Sequence, residues 1–427
     1  MESYLIQPLF GSRLSVWALL LALLGFIFGA APIYAGGVVG NGNPASCDDA
    51  AYAAKMVGGG LVTFNCGPNP VAIKVNTQVI GSGITTTVDG GGLVTLDGEN
   101  LRQIFLVQSG GTLNLRNIQL FRGQFSSGGA IYNQANGTVD LYRVRIEHSV
   151  AESTLALNGG GAIYSLGILR IDRSFIANNQ AKRLGGALLI GGTVTVRDTS
   201  FIANKATVGG AIWQTNPGTL TLENVSFISN QANPLISGPS RQGGAVYTFG
   251  TLNAINTTFA HNIADTGGGL YAASGSGNSL LNVTMYANRA DIGGAIFNES
   301  STITLKNTVA GYSRNRADTA SSLNCDNNGA SITSAGYNVI SDNSCFTVAL
   351  SSDQTNVDPQ LAGLGDNGGP TLTVMPLPGS PVIDKGNNCP ATDQRGASRP
   401  FGPACDVGAV EFGAHPPVLW LPIVQRS

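Results

Sequence analysis

Short segments in which apolar and polar residues alternate recur along most of the chain. Leu113-x-Leu115, Val139-x-Leu141, Val194-x-Val196, Leu220-x-Leu222 and Ile303-x-Leu305 each place two aliphatic side chains two residues apart. Successive side chains of a strand point to opposite faces, so this spacing describes short strands with one buried face. Glycine, asparagine and aspartate bound the segments, as expected of tight turns. No helical periodicity intervenes, which excludes βαβ crossovers between the strands.

A longer repeat runs through the same region. Two glycines followed by a small residue, an aliphatic and usually an aromatic recur seven times, beginning at Gly128, Gly160, Gly185, Gly209, Gly243, Gly267 and Gly293. Gly128-Gly129-Ala130-Ile131-Tyr132 and Gly209-Gly210-Ala211-Ile212-Trp213 show the form. The spacings are 32, 25, 24, 34, 24 and 26 residues. A second motif keeps step, an apolar residue followed three later by asparagine: Phe175…Asn178, Phe201…Asn204, Phe227…Asn230, Phe259…Asn262 and Met285…Asn288. A coil of about 25 residues carrying two or three short strands is the unit of a parallel β-helix, whose coils stack about 4.8 Å apart. Equivalent positions then form rows, aliphatic on aliphatic inside and asparagine on asparagine at a corner, where stacked amides hydrogen-bond. The glycine pair supplies backbone conformations closed to residues with a Cβ. The two long spacings predict loops around Ala151–Asn158 and Asn233–Arg241.

The paired motifs G-G-[AG]-[ILV]-[YFW] and F-x-x-N resemble the repeats of chlamydial-type polymorphic outer-membrane proteins. The region as a whole looks like right-handed β-helix proteins of the pectate-lyase-like superfamily. The resemblance implies an all-β chain with a right-handed parallel β-helix (solenoid) over residues 71–315. It implies no single activity, because that fold carries adhesins, lyases and inert stalks alike.

Both ends of such a stack need covers, since open ends expose strand edges and apolar core. Asp48 to Val57 is expected to form a short amphipathic helix within an N-terminal cap over 36–70. After about Asn315 the glycine-pair repeat stops. Gly369-Pro370-Thr371, Pro378 through Asp384, Asp393-Gln394-Arg395-Gly396, Arg399-Pro400 and Cys405-Asp406 through Glu411 follow in order. This run resembles the choice-of-anchor Q module of secreted bacterial β-helix proteins over roughly residues 305–412, and the module is placed at 316–412. The family implies a surface-sorting tail. Residues 413–427, with Val418-Leu419-Trp420-Leu421-Pro422-Ile423-Val424, carry no LPxTG-type signal and are too short to span a membrane.

Arg13 precedes an apolar run from Leu14 to Ala31 that leads to the small residue Ala35. A basic start, an apolar stretch and a small residue describe a secretory signal peptide over 1–35, cut after Ala35. The same run is nearly long enough to serve as an uncleaved anchor. The six cysteines fall into three local couples, Cys47 with Cys66, Cys325 with Cys345, and Cys389 with Cys405. Six cysteines permit fifteen pairings, so the couples are an expectation. An even count clustered at the two ends suits an oxidising compartment.

Charge is scarce: 11% of residues are charged, and the net charge is −2. With no basic block, nucleic acid is excluded as an expected partner. His148, His261 and His415 are far apart, and His261, inside an F-x-x-N corner, is expected to be packed. Asp265, Asp291 and Asp318 each follow a corner asparagine by three residues and lie 26 and 27 residues apart, one coil each. Ala181, Thr207 and Asn233 precede them in earlier coils, so any acidic column is local. Like charges stacked at strand spacing repel, and either a bound Ca²⁺ or the neighbouring Arg289 and Arg316 would relieve that. No cofactor other than this Ca²⁺ is expected. Asp384, Asp393, Arg395, Arg399 and Asp406 form a dense set in a charge-poor chain. They are expected to pair internally, with a carbohydrate or metal site as the alternative.

The sequence thus leads to a secreted or cell-surface bacterial protein, monomeric and without a membrane span after signal cleavage. Its expected role is a non-catalytic adhesin or cell-envelope module whose partners are surface glycans or other extracellular macromolecules. The alternative is a Ca²⁺-dependent polysaccharide lyase or a glycoside hydrolase.

Overall fold

The computed structural model describes residues 36–233, 241–273 and 277–417. The segment read as a signal peptide, most of the second expected loop and the apolar part of the tail lie outside the described residues.

Each coil turns its alternating aliphatics inward, and parallel pairing sets equivalent positions one above another. Ile131, Ile163, Leu188, Ile212, Val246, Leu270 and Ile296 pair in sequence along a ten-stranded sheet. All seven are fully buried. The largest sheet wraps a corner and takes two strands from most coils, among them Thr193–Arg197 and Ser200–Ile202. Inside it Phe201, Phe227 and Phe259 stack face to face, centroids 5.0 and 4.9 Å apart. A third sheet consists of two-residue strands such as Val150–Ala151 and Gln180–Ala181. The result is an all-β parallel β-solenoid with one continuous apolar interior.

The glycine pair is needed where coils come closest. Gly209 takes φ +65°, and a Cβ on Gly210 would fall 2.1 Å from the Gly244 carbonyl oxygen. Gly210→Ala is expected to cost about 1–3 kcal/mol through forced backbone displacement. Gly363→Ala, which meets nothing within 4 Å, should leave the thermal midpoint unchanged. Calorimetry of the two variants provides the comparison.

The parallel sheets extend beyond 71–315 in both directions. Gly37–Val39 and Gly60–Phe64 already pair with each other, and Cys325–Asn327 continues the row above Ile296–Asn298. Ile332–Ser334, Val339–Ile340 and Gln354–Thr355 add further rungs. Inward apolar rows carry on here through Cys325, Ile332 and Ile340, without the glycine pair. Near the N-terminal end the helix Asp49–Met56 starts at Asp48, whose carboxylate accepts the Ala51 amide, and it buries Tyr52 and Met56. Disulfides join Cys47 to Cys66, Cys325 to Cys345 and Cys389 to Cys405.

Beyond the antiparallel pair Leu361–Gly365 and Thr373–Pro376, the chain runs back along the outside of the stack. It follows a column of corner asparagines that the sequence reading did not single out. Asn307 donates to the Asn387 carbonyl, Asn282 to those of Asp406 and Gly408, and Asn256 to that of Thr392. Gln394 reaches further, donating to the Val225 carbonyl and accepting from Thr258.

Candidate functional site

The inner asparagine row is structural, and its first member differs from expectation. Asn204, Asn230, Asn262 and Asn288 stack, each side-chain oxygen accepting the backbone and side-chain N–H of the asparagine before it in the row, at 2.9–3.1 Å. The residue stacked on Asn204 is Asn179 rather than Asn178. The reason is register: Ile176, not Phe175, pairs with Phe201. Asn178 instead takes the positive-φ bend that Ala203, Ser229, His261 and Ala287 take in later coils. His261 stands edge-on to Tyr286, and burial, followed by the Arg289 charge, lowers its pKa.

The acidic column does not assemble as a three-carboxylate cation site. Asp265 and Asp291 occupy successive rungs, but the next rung brings Arg316 to that position, because Arg314 rather than Arg316 pairs with Arg289. Asp265 lies 3.2 Å from both Arg241 and Arg316. Asp318 pairs with Arg289 and Arg314, and Asp291 accepts the Arg316 amide. The edge is neutralised by arginine. Among the described residues no group of three or more His, Cys, Asp or Glu side chains is placed to hold a metal ion.

The charged set of the C-terminal run is drawn together, and all of it but the half-buried Asp384 is buried. Arg395 and Asp393 pair at 2.8 Å, and Arg399 and Glu411 at 3.2 Å, all four side chains at most 4% exposed. Asp384 accepts the Ala404 amide, and its own amide donates to Asp406. Sequence reasoning missed Glu411, whose carboxylate accepts the amides of Phe401 and Asp406. Burial, with Glu411 nearby, pushes the Asp406 carboxyl up to about 6. The folded state therefore holds this proton more tightly than the unfolded chain. The stabilisation it contributes is complete below pH about 4 and is lost as pH rises through about 6. Asp406→Asn should flatten that part of the stability profile, as read from urea midpoints between pH 4 and 7.

Two adjoining clefts lie where the glycine-pair corner fails. In the coil after Gly293-Gly294 the chain doubles back: Asn315 accepts the Thr319 and Ala320 amides through its side chain, and the Ser322 amide donates to the Ser313 carbonyl. Ser321-Ser322-Leu323 replaces the compact corner and leaves space beside it. One cleft, about 320 Å³, is lined by Asp291, Ile292, Asn315 and Asp326 besides that turn. Asp326 occupies the outward position that Tyr247, Tyr271 and Phe297 hold below it. The other, about 460 Å³, adds Tyr312, Ser313, Ser341, Asp342 and Asp358. Tyr312 donates to Asp358; burial, reinforced by this bond, raises its phenol to about 12. Asp342 accepts the Asn324 amide and pins the turn. The sequence signal for these clefts was the missing glycine pair, read only as the end of the repeat.

Among the described residues no helix is long and apolar enough to cross a membrane. No protein-family model, curated protein or solved structure matches the chain, so the likeness to outer-membrane repeats and to the choice-of-anchor Q module rests on the motifs quoted above.

Proposed function

We propose that this is an extracellular, surface-associated module that binds glycans without cleaving them. In this reading residues 1–35 direct export, the stack is right-handed, and the helix Asp49–Met56 closes its N-terminal end. Three disulfides and an outer surface poor in charge support an oxidising, extracellular setting. The observation that carries the binding role is the lining of the two clefts. Hydroxyls, an amide and carboxylates converge there, and no histidine, lysine or arginine lines either cleft. The lyase alternative asks for a basic side chain beside the carboxylates to take the proton, and no basic nitrogen lines these clefts.

One observation favours a second reading, a glycoside hydrolase: Asp291 and Asp326 line the same cleft, and two carboxylates are the usual catalytic pair for that reaction. A glycan array probed with the chain, followed by product analysis on the glycans retained, separates the readings. Binding with no new reducing ends is the expected result. New reducing ends would replace the binding module by the hydrolase, and a blank array would remove both.

A further inference from the structure

We propose that the two clefts at the Ser321-Ser322-Leu323 turn form one site for a neutral pyranose unit of a glycan. The inference rests on the glycan-binding reading and adds the class of ligand. Both clefts share the three turn residues, and each has the size of an ordinary small-molecule site, roughly 300–1,000 Å³.

The charge of the lining selects the ligand. Asp291, Asp326, Asp342 and Asp358 line the clefts, so a uronate, sulfate or phosphate would meet like charge. The nearby arginines are committed elsewhere, Arg289 and Arg314 to Asp318 and Arg316 to Asp265. The Asp326 carboxylate makes no hydrogen bond or ion pair among the described residues, and Asp291 engages the Arg316 amide through Oδ1. Carboxylates are acceptors only, and sugar hydroxyls are the neutral donors that suit them.

Two further features point to a ligand. Ser313 is 5% exposed and lines the larger cleft, yet its hydroxyl has no partner. The Ser322 hydroxyl, between the clefts, is also unpaired. Buried polar groups are ordinarily hydrogen-bonded, so these two unpaired hydroxyls beside the larger cleft are spare donors that a side-chain rotation would turn toward a ligand. The apolar lining is also unusually open: Ile292 is 46%, Leu323 55% and Tyr312 37% exposed. A pyranose presents both a C–H face for such residues and equatorial hydroxyls for the carboxylates, which an inorganic cation does not.

The test is calorimetric titration of the full chain with D-glucose, D-galactose, N-acetyl-D-glucosamine and D-galacturonate, with and without EDTA. At least one neutral sugar should bind, galacturonate at least about tenfold more weakly, and EDTA should change nothing. Asp326→Asn and Leu323→Ala should each weaken binding about tenfold, and Ser322→Trp should abolish it with the circular-dichroism spectrum intact. If Ser322→Trp unfolds, the Asp326→Asn result decides. Binding that survives these substitutions would place the glycan elsewhere, overturning this site but not the glycan-binding reading. Galacturonate binding as tightly would overturn the ligand class, and loss in EDTA would assign the clefts to a cation. A glycan array that is positive while all three neutral sugars fail would overturn the proposal alone; a blank array would overturn both.

Discussion

Glu411→Ala is expected to lower the free energy of unfolding by about 3–5 kcal/mol, because it leaves the Arg399 guanidinium buried without its countercharge. Arg399 and Glu411 are 0% and 1% exposed, so water cannot replace the lost partner. The same carboxylate accepts the Phe401 and Asp406 amides, which the alanine also strands. Glu411→Gln separates the two contributions: it keeps an acceptor for the amides and removes the charge, so its cost should be intermediate. Urea denaturation of the three proteins gives the order. The consequence reaches the solenoid, since Arg399 also bonds to Asn256 and to the Gly408 carbonyl, where the C-terminal run meets the corner asparagines. A Glu411→Ala chain with wild-type stability would mean that this run contributes nothing to holding the stack.

Asn230→Ala should cost about 3 kcal/mol, against about 1 kcal/mol or less for Asn178→Ala. Asn230 donates to the Phe201 carbonyl and to Asn262, and accepts two N–H groups of Asn204. Alanine there leaves several fully buried groups short of a partner, and each such vacancy costs about 1–3 kcal/mol, partly offset by relaxation. Asn178 sits at a positive-φ bend whose counterparts in other coils include Ala203 and Ala287, so alanine is already accommodated there. Thermal midpoints of the two variants measure the difference. Equal midpoints would contradict the register that puts Asn179, rather than Asn178, in the row.

That register illustrates how far motif reading goes. Phe175-x-x-Asn178 matches the pattern as well as Phe201-x-x-Asn204, but the neighbouring Ile176-x-x-Asn179 matches it too. Only the pairing of Ile176 with Phe201 decides which asparagine turns inward. Phe175 then lies under the Arg145 guanidinium, 4.5 Å away. The acidic column failed for a related reason. Counting 27 residues from Asp291 to Asp318 puts Arg316 beside Arg289, while the coil is shorter: Arg314 pairs with Arg289, so Arg316, 25 residues after Asp291, reaches the row and Asp318 falls beyond it.

What the sequence determined by itself is whatever repeats once per coil. Stacked positions are about one coil apart, so inward aliphatic rows, glycine corners and the asparagine row leave a period that can be counted. Disulfides between cysteines 16 to 20 residues apart are local in the same sense. The tertiary structure alone decided the return of the C-terminal run along Asn307, Asn282 and Asn256, where Asn256 meets Thr392 across 136 residues. It alone decided that Glu411 completes the buried charge pair and that Ser321-Ser322-Leu323 opens a cleft. These contacts occur once, between segments with no common period, and their free energy depends on burial and mutual geometry that exist only after the stack has formed.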